Sequence, residues 1–378
     1  MIKRITSSKG IVTAVWVLGL VVIWEICAFI VGATQRTPVN VLPHLYQIIG
    51  SFFDTKSITG SGDTIATLVF SSAAETLSRA LIGFIIGMVL GYILALLMHL
   101  SHIVEKIAFP YLKGKAIKNI ITTVGPPVLF GALIFTLWQT KILHALFKTD
   151  EIILPLPTRI GSIIGDNFTN MLPQIASTLI VALGGLVLGS ILGYFIGVAG
   201  AVFKKWGMGG LTIVSAFNAI PLVALAPVIN NWTRDLSSVV DIRSTVAKII
   251  TVTIFCTASM SVNAYRGLTE VKPFSEDLFA SYGSSKLKMF FKLRLPNSLP
   301  YVFTALRVSV PSCIIGAVVS EYFAEQVIGV GRQIRENIVK GQFPTAWAYI
   351  TIACVMGILM YIILLTVEAI VLKNRRAR

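Results

Sequence analysis

About eight times between residues 11 and 372 the chain runs for about 20 residues with two charges or fewer. The runs are 11–33, 78–100, 127–147, 174–202, 208–229, 245–263, 300–323 and 346–372. A bilayer core about 30 Å thick is crossed by a helix of about this length, because backbone groups in lipid must bond within their own helix. The pattern predicts an all-α polytopic membrane protein with about eight transmembrane helices. With 55% hydrophobic and 13% charged residues, the chain has too few charges for the surface of a soluble domain.

Orientation follows from the basic residues, since loops left in the cytoplasm carry an excess of Lys and Arg. With the N-terminus inside, the inner segments are the tail to residue 10, the loop 101–126, Lys204 and Lys205, the loop 264–299, and the tail from Lys373. They hold 19 of the 32 Lys and Arg but only 4 of the 17 acids, so the whole net charge of +15 lies on one side. Both termini are therefore expected in the cytoplasm of a cell whose inner membrane holds the protein. Charges flanking lipid in this way are the default for membrane helices and do not point to nucleic acid. Trp24 and Glu25 inside the first run favour an uncleaved span over a signal peptide.

Cys27, Cys256, Cys313 and Cys354 all lie in apolar runs without paired spacing, and are expected as small core residues rather than a disulfide or zinc site. His44, His99, His102 and His144 show no metal-ligand pattern. There is no Gly-Lys-Ser/Thr phosphate loop, so no cofactor is expected in this chain.

Two stretches of the N-terminal half are alike. Leu42-Pro43 to Asp54 parallels Leu154-Pro155 to Asp166, and Gly83, Gly87, Gly91 and Tyr92 match the spacing of Gly185, Gly189, Gly193 and Tyr194. The register slips between the two matches, which places an insertion near 55–66, and Trp24 and Trp138 give a further pair of landmarks. Glycines four apart share a helix face and let a neighbouring helix approach closely, so the second helix of each copy is expected to pack against one. Residues 1–126 then form an additional transmembrane helix pair in front of a six-helix core, 127–378.

The segment Asp277 to Pro300, DLFASYGSSKLKMFFKLRLPNSLP, is the charged exception among these apolar runs. Ser275 is placed to cap a first short helix, with Glu276 and Asp277 at its positive end, and Gly283 stops it. Ser284 or Ser285 caps a second, in which Leu287, Phe290 and Phe291 share an apolar face while Lys286, Lys288 and Lys292 supply charge. Pro296 and Pro300 are expected to turn the chain into the next span. Such a helix–Gly–helix either rests on anionic headgroups or fills a groove in another protein.

This segment resembles the cytoplasmic signature of the permeases of binding-protein-dependent ABC importers. Asp277, Leu278 and Phe279 stand at its first three positions, Gly283 at its glycine, and Leu293, Leu295 and Pro296 at its end. Leu278 and Phe279 are bulky where that family usually has alanines. Ala219 to Trp232 and Pro300 to Phe323 resemble the branch for nitrate, sulfonates, taurine and thiamine precursors. The resemblance implies a type I ABC importer permease core, a second permease copy in a dimer, and a cytoplasmic ABC ATPase that binds ATP and receives the 275–296 loop. It also implies an extracellular or periplasmic solute-binding protein that delivers a small solute, and no enzyme activity in this chain.

Pro221 and Pro227 each remove a backbone hydrogen bond, either as a kink or as part of a pathway. Arg307 and Glu321 are charges within a span, which cost a few kcal/mol unless paired or wetted. The rise between them is about 21 Å, so they do not pair within one helix. Each is read either as an interfacial charge or as a gate or subunit contact, Arg307 at the inner end and Glu321 at the outer, and Glu25 and Glu368 are read likewise. The competing reading is a secondary transporter driven by an ion gradient, for which ionisable groups near the midplane are scarce and the inner loop has no task. An intramembrane enzyme or scaffold is the third reading, and the chain offers it no nucleophile and base set.

Overall fold

A computed structural model describes residues 9–34, 42–55, 62–108, 128–216 and 220–376. The tail to residue 8, most of the basic loop 101–126 and the expected boundary at 126 fall outside them. In chain order the helices are α1 (Lys9–Thr34), α2 (Leu45–Phe52), α3 (Ile65–Ala108), α4 (Val128–Gln139), α5 (Ile142–Phe147), α6 (Pro157–Val202) and α7 (Lys204–Ala216). There follow α8 (Leu222–Trp232), α9 (Val240–Thr269), α10 (Ser275–Ser281), α11 (Lys286–Met289), α12 (Leu295–Tyr322), α13 (Val330–Val339) and α14 (Phe343–Arg376). No strand occurs among the described residues.

Six helical stretches among the described residues are long and apolar enough to cross a bilayer: Gly10–Ala33, Ile65–Ile93, Pro157–Val202, Val240–Thr269, Lys286–Tyr322 and Phe343–Lys373. The other two expected spans break. Run 127–147 divides into α4 and α5 at Lys141, whose backbone is left-handed (φ 64°). Run 208–229 divides into α7 and α8, with Pro221 in extended backbone (φ −62°, ψ 121°) just before α8. Proline lacks the N–H that would continue a helix, and hydropathy averaged over a run does not register the break. At 11 residues, α8 is about 16 Å long, half a bilayer core.

The chain forms two compact units. One comprises Met1–Thr37, Ile152–Pro155 and Arg159–Arg378; the other comprises Pro38–Glu151 and Leu156–Thr158. In the first unit, α6 and α9 lie side by side and run the same way. Gly185, Gly189, Gly193 and Gly197 of α6 are all buried, facing Val252, Cys256, Met260 and Ala264 of α9 in turn. A Cβ on Gly189 would stand 2.5 Å from the Cβ of Cys256 and 2.7 Å from the carbonyl oxygen of Thr253. The missing side chains are therefore what permits this approach, as expected from the spacing. Antiparallel to both, α12 has Gly316 against Val252 at one level and Ser298 and Tyr301 against Gly267 of α9 at another.

The corresponding glycines of the first copy behave differently. A Cβ on Gly83, Gly87 or Gly91 of α3 would meet no atom of the described chain within 4 Å, so equal spacing does not give equal packing. Nor does the packing follow the boundary at 126. Trp16 and Val12 of α1 lie over Gly209 and Gly210 of α7, where a Cβ on Gly209 would come within 2.8 Å of Val12 and 2.9 Å of Trp16. Cys256 and Cys313 are core residues as expected, whereas Cys27 and Cys354 are exposed on the apolar surface.

Candidate functional site

The segment between α9 and α12 projects as a knob. Its first helix, α10, begins at Ser275 after Phe274 in left-handed backbone (φ 62°), so Ser275 is the first helical residue rather than its cap. The helix ends at Gly283 (φ 60°), where the Gly283 N–H donates to the Ala280 carbonyl at 2.9 Å and the Ser284 N–H to the Phe279 carbonyl at 3.0 Å. This paired closure needs left-handed backbone after the helix, which glycine supplies at least cost. The Ser285 hydroxyl then accepts from the Lys288 N–H at 3.3 Å and caps α11.

The expected turn at Pro296 and Pro300 does not occur. Lys286–Tyr322 is a continuous helical run of 37 residues, with a π-helical turn at Phe290–Arg294. Its wider winding directs the Leu295 N–H to the Phe290 carbonyl, five residues back, immediately before Pro296. A proline ring collides with the carbonyl four residues earlier in a regular helix, and a wide turn relieves that collision. The second half of the knob is thus the lower end of α12.

Polar contacts brace the knob on the helices above it. Arg294 donates to Glu276 of α10 at 2.8 and 3.2 Å. The Asn297 amide donates to the Gly267 and Glu270 carbonyls at 2.8 and 3.0 Å, satisfying the open end of α9. Tyr194 of α6 and Ser298 share a hydrogen bond at 2.9 Å. The outward side is apolar: Phe274 and Tyr282 are each 81% exposed, and Leu278, Leu287 and Phe291 are exposed as well. Asp277 and Gly283 are exposed, whereas Phe279, Leu293, Leu295 and Pro296 are half-buried and belong to the brace. Lys286, Lys288 and Lys292 are exposed beside the apolar patch.

The remaining candidates lie apart. Pro221 precedes α8 and Pro227 lies within it, both exposed. Arg307 and Glu321 are separated by about 21 Å of helix and have different partners. Arg307 pairs with Glu368 of α14 through both guanidinium nitrogens, with the Nε contact at 2.7 Å. Hydropathy made Glu368 an isolated charge, and only the tertiary fold supplies its partner. Breaking such a pair strands a charge in lipid, so Arg307→Met is expected to destabilise the protein by ~3 kcal/mol. The double variant Arg307→Met/Glu368→Gln is expected to recover most of that loss, and thermal melts in detergent measure both.

Glu321 is fully buried among the helices. The Thr178 hydroxyl of α6 lies 2.9 and 2.8 Å from its two oxygens, and the Gly331 N–H donates to it at 2.9 Å. Lys248 of α9 is equally buried and donates to Gln326 Oε1 at 2.9 Å. Sequence reading missed Lys248, although a lysine within an apolar run was the available signal. These residues are at the opposite end of α12 from the knob.

Residues 198–376 match the family model described as binding-protein-dependent transport system inner membrane component. The chain is 28% identical over 251 residues to formylaminopyrimidine transport permease protein ThiX of Halalkalibacterium halodurans, covering 66% of this chain and 96% of that protein. It is 24% identical over 196 residues to a probable ABC transporter permease protein of Haemophilus influenzae, covering 52% of this chain and 76% of that one. Among solved structures, an inward-facing MetNI methionine ABC transporter aligns with a TM-score of 0.44 and 15% identity, over 54% of this chain and 95% of that one.

Proposed function

We propose that this chain, whose residues 198–376 match the binding-protein-dependent transport system inner membrane component, is the transmembrane permease subunit of an ATP-driven ABC importer for a small heterocyclic solute of the thiamine-precursor kind. The observation that carries the reading is the knob. An exposed apolar patch, braced by Arg294–Glu276 and Asn297, continues without a break into a helix long enough to cross the membrane. Apolar side chains exposed in water at a basic loop call for a protein groove, and a rigid connection gives that groove a lever.

ATP binds a separate cytoplasmic ATPase, since this sequence has no phosphate loop of its own. Two permease copies form the pathway, each with one knob in the ATPase dimer, and closure of that dimer draws the knobs together. The helices then tilt from inward-open to outward-open, and an external solute-binding protein delivers the cargo. The positive-inside asymmetry puts the knob and both termini in the cytoplasm. Residues 1–126 are an addition by partial duplication in front of a 127–378 core, although α1 packs on the core helix α7. Pro221, in extended backbone just before α8, and Pro227, Arg307 and Glu321 on the same core are the candidate pathway or gate residues.

The test is uptake of a labelled formylaminopyrimidine into cells expressing the permease with the ATPase and binding protein of its own gene neighbourhood. Uptake is expected to stop when the ATPase is deleted and to survive collapse of the proton gradient while ATP is maintained. Uptake that ignores the ATPase but stops with the gradient would contradict the reading.

A further inference from the structure

At the end of α12 opposite the knob, the turn 323–329 and the first residues of α13 are held by hydrogen bonds from three helices, buried at Val330 and Gly331, partly buried at Gln326 and Gly329, and exposed at Glu325. The Gly329 N–H donates to Gln174 Oε1 at 2.8 Å and the Val330 N–H to Thr178 Oγ1 at 2.9 Å, both on α6. Glu321 accepts from Thr178 and from the Gly331 N–H. From α9, Lys248 Nζ donates to Gln326 Oε1, and Arg243 pairs with Glu325 at 2.6 Å. Gly329 (φ 117°) has no room for a side chain, because a Cβ there would fall on the Glu321 carboxylate. Thr178, Lys248 and Glu321 have no measurable exposure.

This arrangement costs more than packing requires. Two ionisable side chains are desolvated where apolar residues would serve, and their cost is offset by their attraction for each other, by Thr178, and by the Gly331 N–H and Gln326. Displacing the turn and the start of α13 would take the last two partners away from buried charge. Between this cluster and the knob runs α12, 28 residues and about 42 Å long. Displacement at one end is delivered to the other without a hinge loop between them.

We propose that Glu321, Thr178 and Lys248 form a latch that makes turn 323–329 part of the body moved by the knob, so that the outer surface of the permease changes when the ATPase closes. These are positioning residues, and they act through the turn rather than on the solute. Val327, 60% exposed at the tip of the turn, is the point at which the motion reaches solvent. The proposal rests on the function given above, because it takes the knob as the driven end.

The test is a cysteine in place of Val327, in a chain lacking Cys27 and Cys354 and assembled with its ATPase. The rate of labelling by a membrane-impermeant maleimide is measured with and without ATP plus vanadate. The rate is expected to change about tenfold on trapping. Thr178→Val and Glu321→Gln are expected to abolish that change at equal membrane abundance, while Thr178→Ser, which keeps the hydroxyl, retains it. A structural role alone would lower abundance without erasing the nucleotide response of the protein that remains. If Leu278→Asp in the knob erases the response and both latch variants keep it, the latch is overturned and the function stands. If Val327→Cys labelling ignores nucleotide while uptake still requires the ATPase, the latch is overturned and the function stands; if uptake continues after the ATPase is deleted, the function fails and the latch with it.

Discussion

Leu278→Asp is expected to abolish ATP-driven uptake while leaving the permease at normal abundance in the membrane. Leu278 sits mid-helix on α10, 57% exposed between Phe274 and Tyr282, in a helix with no buried residue. In the importer proposed above, the same side chain would be a central anchor. A carboxylate there must either stay wet, holding the groove open, or be buried without a partner. Loss of one such anchor costs ~2–4 kcal/mol, which weakens the complex by about 30- to 1,000-fold. Leu278→Met, of similar volume and polarity, is expected to keep most of the activity. Co-purification of the ATPase with each variant, together with uptake, separates failed docking from failed transmission. A Leu278→Asp protein that binds its ATPase and transports normally would show that the patch faces something else.

The second large effect concerns stability. Gly189→Leu places a branched side chain where Cys256 Cβ and the Thr253 carbonyl leave no room for even a Cβ. No rotamer escapes a collision with backbone, so α6 and α9 must separate, at a cost above ~3 kcal/mol. Thermal unfolding in detergent should fall sharply or the protein should fail to accumulate. Gly87→Leu occupies the matching position of the first copy, where the described chain leaves open space, and is expected to change stability by less than ~0.5 kcal/mol. Equal losses in the two variants would contradict the distinction between the closed stripe on α6 and the open one on α3.

These cases mark what the sequence could and could not convey. Six of the eight expected spans, the stop at Gly283 and the glycine stripe of α6 were legible because each depends on residues within four or five places of one another. Helical periodicity and backbone conformation are local properties. The division of run 208–229 at Pro221 was visible as a proline, but an average hydropathy gave it no weight. The contacts that define the latch are of another kind: Thr178 and Glu321 are 143 residues apart, and Arg307 and Glu368 are 61 apart. No local pattern announces such partners, so each charge could only be read as isolated. The seating of Trp16 on Gly209 and Gly210 was illegible for the same reason. The repeat gave α1 a sequence relative, whereas packing gave it a neighbour about 190 residues further along the chain.

The most direct measurement is photo-crosslinking in intact cells from a photoreactive residue in place of Tyr282, which is 81% exposed at the tip of the knob. The account predicts one dominant adduct, with a cytoplasmic chain whose peptides contain a Gly-Lys-Ser/Thr phosphate loop, and a yield that changes when ATP is depleted. An adduct with lipid alone, or labelling of the same position by an impermeant reagent applied outside the cell, would contradict it.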